Sequence, residues 1–139
     1  MEAIAAFSPR LFISCPLVVA PVAAGFPSPA EDYVERSLDL NECLVQHQEA
    51  TFFVRARGSS MVGVGIHDGD TLVVDRALEP ADGQIVIALV DGEFTVKRLR
   101  RAEGRVFLVA ENPHYRALEV TPGQRFEVWG VVTYVIHPI

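Results

Sequence analysis

A serine inside a glycine-rich bend and a lysine on a later strand are the residues of this sequence best suited to covalent chemistry. Ser60 lies in the segment 58–70, which contains four glycines and separates two strand-like runs. A serine hydroxyl attacks a carbonyl only when a base accepts its proton and donors stabilise the oxyanion. His67 is a candidate base close in sequence, and Lys97, 37 residues after the serine, is a second. The pattern indicates a serine nucleophile and leaves both bases open.

The segments around these residues predict how they are positioned. Thr51 to Arg57 before the bend and Thr71 to Asp75 after it have the β-branched and aromatic content of strands. Lys97 follows the hairpin signal Asp91-Gly92 and lies in an apolar-flanked strand. A lysine acts as a base only when neutral, and its ordinary pKa is about 10.4. Burial that lowered this pKa to about 7–8 would require roughly 3–5 kcal/mol of differential interaction.

The remaining periodicity predicts a mainly β protein with short helices before the strands. Gln84 to Val90 is apolar after its first residue, as in a strand buried on both faces. Further strands are predicted at 105–110 and 126–136, where Trp129 and Tyr134 are interpreted as packing residues. Short helices are predicted from Ser28 to about Arg36, and after Asp39 as a cap, with an apolar stripe of Leu40, Cys43 and Leu44. Three prolines in residues 1–24 favour an extended, partly pairing, mobile arm.

Composition limits the classes of function. The chain has 139 residues, half of them hydrophobic, which suits one domain. A net charge of −6 argues against strong direct DNA binding through a broad basic face, and the basic residues at 97–105 are interpreted as a solvated edge. Cys15 and Cys43 give no disulfide framework, and the four histidines show no metal-ligand spacing, so no metal or cofactor is predicted.

An apolar run at 11–24 raises the question of membrane or export signals. It is shorter than the roughly 20 residues of a membrane span, and Pro16 and Pro21 interrupt it. A secretory signal that ends in small residues is the alternative, but the leading segment carries Glu2 and only Arg10 as a base. We therefore expect a cytoplasmic protein without a membrane anchor.

Three motifs in order resemble a known family. They are Gly58-x-Ser60-Met61, Gly65-x-x-Asp68-Gly69-Asp70 and Gly92-Glu93-Phe94-Thr95-Val96-Lys97. Together they resemble the self-cleaving serine-lysine domain of the LexA/UmuD family, peptidase S24. The upstream text from Ala24 to Glu35 and Asp39-Leu40-Asn41 is similar to the UmuD type in particular. The likeness runs from about Gly25 to the C-terminus.

The resemblance implies a LexA-like C-terminal catalytic domain of the β-clip type, preceded by a flexible N-terminal arm. It implies that Ser60 is the nucleophile, Lys97 the general base and Ala24-Gly25 the scissile bond. Residues 1–24 would be the arm removed by self-cleavage, and residues 25–139 the protease domain. The backbone N–H groups of Ser60 and Met61 are expected to form the oxyanion hole.

The resemblance also implies partners. As in other members of the family, the RecA filament on single-stranded DNA would stimulate cleavage. The processed homodimer would be an accessory subunit of an error-prone Y-family (UmuC-like) DNA polymerase in translesion synthesis. Two departures, Ser59 in place of an acidic residue and Ala24 in place of the cysteine common in UmuD, bear on the rate of cleavage.

Three other functions are alternatives for this sequence. A repressor would need a helix-turn-helix before the cleavage site, for which 24 residues are too few. A serine-lysine peptidase that acts on other proteins at a membrane would need an anchor. The non-enzymatic alternative is a polymerase-binding module that does not cleave.

Overall fold

The computed structural model describes residues 2–6, 14–18, 22, 24–25 and 35–139. Within them the fold is mainly β, as predicted. The strands are β1 (Glu2–Ala6), β2 (Ser14–Val18), β3 (Glu35–Asp39), β4 (Thr51–Arg55), β5 (Thr71–Asp75), β6 (Ile85–Val90), β7 (Glu93–Ala102), β8 (Arg105–Val109), β9 (Leu118–Val120) and β10 (Phe126–Ile136). Eight of them form one antiparallel sheet in the order β1-β4-β5-β10-β6-β7-β8-β9, and β2 pairs with β3 in a separate ribbon.

The longest strand, β10, joins the two halves of the sheet. Its first half pairs with β6 and its second half with β5, and the register shifts once in each pairing. Gly130 lies at the shift beside β6, where an added Cβ would come within 2.5 Å of Val74 Cγ1. A side chain at position 130 would therefore force the strand away from its neighbour.

Two hydrophobic cores lie on the sheet, and strand β6 contributes to both. Ile87 belongs to the first core and Val86 and Ala88 to the second, and all three are fully buried. Alternate side chains of a strand point to opposite faces, so the continuously apolar run at 85–90 is explained by burial on both sides. That prediction is confirmed.

The predicted strands on either side of the bend, the Asp91-Gly92 hairpin and the strands after it are all present. Asp91 and Gly92 have φ angles of 48° and 83°, the left-handed pair that a two-residue hairpin turn requires. Strand β9 was not predicted, because three residues are too few to show alternation.

The helix predictions were only partly correct. Helix α1 (Leu40–Leu44) begins as predicted, with Asp39 Oδ1 accepting a hydrogen bond from the Asn41 N–H at 2.9 Å. The prediction that its apolar stripe packs against the protein was wrong, since no residue of the helix is buried and Leu40 is 59% exposed. The helix predicted from Ser28 falls mostly outside the described residues. Its end was wrong, because residues 35 and 36 belong to β3, which pairs with β2.

The N-terminal segment was predicted to be extended and partly paired. The described stretches agree: β1 pairs with β4, and β2 pairs with β3. Two short 3₁₀ helices, at Gln48–Ala50 and Val62–Val64, complete the described secondary structure. No helix among these residues is both long and apolar enough to cross a membrane.

Candidate active site

The bend that carries Ser60 is fixed by the residue that follows it. Met61 is 2% exposed and packs in the first core together with Ile66. The Met61 carbonyl accepts hydrogen bonds from the N–H groups of Val64 and Ile66, at 3.2 and 3.3 Å. Because both apolar side chains are buried, the half-buried Ser60 before them is held at a defined place on the surface.

The connection between β8 and β9 supports the bend from the other side. The Gly63 N–H donates to the Glu111 carbonyl at 2.8 Å, and Asn112 Nδ2 donates to the Ser59 carbonyl at 2.8 Å. The Ser59 hydroxyl lies 3.4 Å from the Tyr115 hydroxyl. Sequence reasoning missed this support, because the contacts span about fifty residues and no spacing rule relates them.

Lys97 reaches the bend from β7. Its Nζ lies 3.1 Å from Ser60 Oγ, 2.9 Å from Thr95 Oγ1 and 3.1 Å from the Val96 carbonyl oxygen. Thr95 and Lys97 project to the same side of the strand because side chains alternate. The structure therefore brings together the two side chains that the sequence singled out, and it adds Thr95 as a third member.

Burial favours the neutral form of the Lys97 amine, the form in which it can accept a proton. Val96 and Leu99 on the same strand are 6% and 0% exposed, one in each core. Removal of water from the amine disfavours its charged form, and this desolvation lowers the pKa of Lys97 below its ordinary value. In its neutral form the amine can accept the Ser60 proton along the 3.1 Å contact. Lys97 is also the only lysine among the twelve basic residues of the chain.

The alternative base, His67, is directed elsewhere. Its Nδ1 lies 3.7 Å from Asp70 Oδ2, and its ring stacks on that of His137 with 4.6 Å between centroids. Within the described part of the chain, no hydrogen bond joins His67 to Ser60. Of the two candidate bases, it is therefore Lys97 that lies within hydrogen-bond distance of Ser60.

Two backbone donors are available beside the serine. Among the described residues, the N–H groups of Ser60 and Met61, like that of Ser59, have no hydrogen-bond acceptor, whereas those of Gly58 and Val62 do. The expected cleavage-site residues Ala24 and Gly25 are exposed, and a Cβ added at Gly25 would meet no described atom within 4 Å. The structure thus assembles Ser60 with Lys97, while Ala24-Gly25 is open.

Three of the four arginines in the basic segment 97–105 have acidic or carbonyl partners. Arg98 forms an ion pair with Glu111, and Arg105 binds Glu119 through two hydrogen bonds of 2.9 and 2.6 Å. Arg101 donates to the Pro80 carbonyl at 3.1 Å. These contacts agree with the interpretation of the cluster as a solvated edge.

The mainly β fold thus carries a serine hydroxyl beside a partly buried lysine amine, two groups that serine-lysine peptidases use as a convergent variant of the serine triad. Comparison with known proteins gives the family. The chain belongs to the Peptidase S24-like family, whose sequence profile matches residues 16–133. The predicted membership of the LexA/UmuD family is thereby confirmed.

Curated relatives match nearly the whole chain. It is 49% identical to protein SamA of Salmonella typhimurium over 89% of this chain and 86% of that protein. It is 50% identical to protein ImpA of Shigella flexneri, over 88% and 83%. It is 44% identical to protein MucA of Escherichia coli, over 91% and 88%.

The close approach at Gly63 predicts a sensitive position. A Cβ there would lie 2.5 Å from the Glu111 carbonyl oxygen, so Gly63→Ala must displace either the bend or the loop. We expect a loss of about 1–3 kcal/mol in the free energy of unfolding, measured by urea denaturation. Gly123→Ala, where an added Cβ meets nothing within 4 Å, is the matched control and should change stability little. Equal effects of the two variants would contradict the close packing.

The buried amine predicts a pH-dependent cost to stability. Because the pKa of Lys97 is lower in the folded state, the unfolded chain binds more protons between the two pKa values, so stability rises with pH there. Lys97→Met should therefore raise the Tm at pH 7, and the gain should shrink as the pH approaches about 10.4, the ordinary lysine value. Arg100→Met, at an exposed position of the same strand, should show no such trend. A pH-independent difference for Lys97→Met would contradict the desolvation.

Proposed function

We propose that this protein is a self-cleaving SOS-response protein in which Ser60 and Lys97 form a catalytic dyad. The observation that carries the proposal is the 3.1 Å contact between Lys97 Nζ and Ser60 Oγ at a site where burial lowers the pKa of the amine. Membership of the Peptidase S24-like family supports a peptidase activity of this kind.

The proposed chemistry follows from the atoms present. Neutral Lys97 takes the hydroxyl proton as Ser60 Oγ bonds to the carbonyl carbon of Ala24. The N–H groups of Ser60 and Met61 stabilise the resulting oxyanion, a contribution that amounts to about 3 kcal/mol per donor in other serine peptidases. Collapse breaks the bond to Gly25, whose nitrogen receives the proton from Lys97. Water then attacks the ester, Lys97 again accepts the proton, and Ser60 is regenerated.

Thr95 has a positioning role in this proposal. Its hydroxyl, 2.9 Å from Lys97 Nζ, restricts the rotation of a side chain that otherwise has four flexible torsions. The Val96 carbonyl does the same from the other side. With two fixed partners, the amine is directed toward Ser60 Oγ before the reaction begins.

Docking of the arm would control the rate. Since Ala24 and Gly25 are exposed in the structure, the peptide bond between them has to enter the site before it can react. We propose that the RecA filament on single-stranded DNA promotes this docking, as the LexA/UmuD resemblance implies. The small residues Ala24 and Gly25 suit entry into a narrow site, because Gly25 adds no side chain.

Cleavage would divide the chain into an arm, residues 1–24, and a protease domain, residues 25–139. The arm carries β1 and β2, so its loss would leave the β4 edge of the large sheet and strand β3 without their partners. Unpaired strand edges bind other chains readily. We propose that the processed homodimer then joins an error-prone Y-family polymerase in the cytoplasm for synthesis across lesions.

The test is the intact mass of the purified chain over time, at neutral and alkaline pH, with and without RecA filament. We expect loss of residues 1–24, faster at alkaline pH because more Lys97 is neutral. Ser60→Ala and Lys97→Ala should each slow the reaction at least about a thousandfold. Arg100→Met should cleave at the wild-type rate.

Two outcomes favour the alternatives. If the wild-type chain never shortens, or if the dyad variants shorten equally, the non-cleaving polymerase-binding module is the better interpretation. If wild-type protein cuts unrelated peptides as fast as its own arm, a peptidase that acts on other proteins is favoured instead.

A further inference from the structure

A second group of reactive side chains lies outside the serine-lysine pair. His67 and Asp70 end the Ser60 bend, and His137 comes from the residues just after β10. His137 Nδ1 lies 2.5 Å from Asp70 Oδ1, and His67 Nδ1 lies 3.7 Å from Asp70 Oδ2. One ligand atom from each of the three residues lies within 4.8 Å of the other two. The proposed cleavage reaction uses none of them.

We propose that His67, Asp70 and His137 form a binding site for a divalent transition-metal ion, with Zn²⁺ as the best fit. Two imidazole nitrogens and one carboxylate oxygen are a ligand set that suits Zn²⁺, whereas Mg²⁺ and Ca²⁺ prefer oxygen ligands alone. Three protein ligands leave a fourth position of the tetrahedron for water.

Burial provides one fixed ligand and two adjustable ones. The Asp70 side chain is 1% exposed, and its Oδ2 accepts a hydrogen bond from the His67 backbone N–H at 2.7 Å, so the carboxylate is held in place. The His67 and His137 side chains are 48% and 45% exposed, which gives an ion access from solvent. An outer hydrogen bond that orients a ligand is typical of metal sites.

The spacing is close to what an ion requires. Ligand atoms around tetrahedral Zn²⁺ are about 3.3 Å apart, given bonds of about 2.0–2.1 Å. The 3.7 Å separation of His67 and Asp70 is near this value, and the 2.5 Å contact of His137 has to open by less than about 1 Å. Rotation of the half-exposed histidine rings allows both changes without movement of the buried carboxylate.

The chain contains a matched control. His47 Nδ1 lies 2.6 Å from Asp75 Oδ2, with side-chain exposures of 48% and 3%, nearly the same as those of His67 and Asp70. Among the described residues, this second pair has no further histidine, cysteine or carboxylate at metal-ligand distance. It therefore separates metal binding from a simple histidine-aspartate ion pair.

The experiment is a calorimetric titration of the full-length, tag-free, chelator-treated protein with ZnCl₂. We expect one Zn²⁺ per chain, and a Kd at least tenfold weaker in His137→Gln and in His67→Gln. His47→Gln should bind as the wild type does, and MgCl₂ should give no binding heat. Bound Co²⁺ should show the visible absorption of four-coordinate nitrogen and oxygen ligation, without a sulfur charge-transfer band.

The proposal is overturned if no Zn²⁺ binds, if His47→Gln weakens binding as much as His137→Gln, or if a sulfur band shows that cysteine holds the metal. Circular dichroism of each variant in the absence of metal identifies any variant that has failed to fold. Because His67 is half-exposed, His67→Gln keeps the test valid if His137→Gln unfolds.

Discussion

The chemistry proposed for this protein requires one interaction, the contact between the amine of Lys97 and the hydroxyl of Ser60 at a partly buried site. In water a lysine amine is almost wholly protonated at neutral pH and cannot act as a base. Here Lys97 lies on a strand whose residues Val96 and Leu99 are buried in the two cores, and desolvation lowers the pKa of its amine. The same packing that stabilises the sheet makes the lysine costly to charge.

The rest of the fold serves to keep that contact in place. Strand β7 fixes Lys97 through its register with β6, in which Val86 lies opposite the lysine. Met61 fixes Ser60 by burial of its side chain in the first core, and the loop around Glu111 closes over Gly63. Residues from separate parts of the chain thus determine one distance, and a displacement of any of them changes the reactive pair.

Much of this arrangement could be predicted from the sequence, because its signals are local. The alternation of apolar and polar residues predicts the strands, and Asp91-Gly92 predicts the hairpin before Lys97. The glycines predict the bend around Ser60. The resemblance to the LexA/UmuD family then selected Lys97 over His67. The exposure of the apolar residues of α1 was not predictable, because the amphipathic pattern indicates burial and the structure buries no residue of this five-residue helix. Contacts over long sequence separation were not predictable either, such as Asn112 with Ser59 or His137 with Asp70.

The most direct measurement is the pKa of Lys97 by NMR. Because the chain contains a single lysine, selective ¹⁵N-lysine labelling gives one side-chain signal, which can be followed through a pH titration in the Ser60→Ala and Arg100→Met proteins. We expect the pKa of Lys97 to lie below the ordinary value of about 10.4 in both proteins and, in Arg100→Met, to agree with the midpoint of the pH dependence of cleavage. A Lys97 amine that titrates near 10.4 would contradict its role as the base, because at neutral pH the group beside Ser60 would then be a cation.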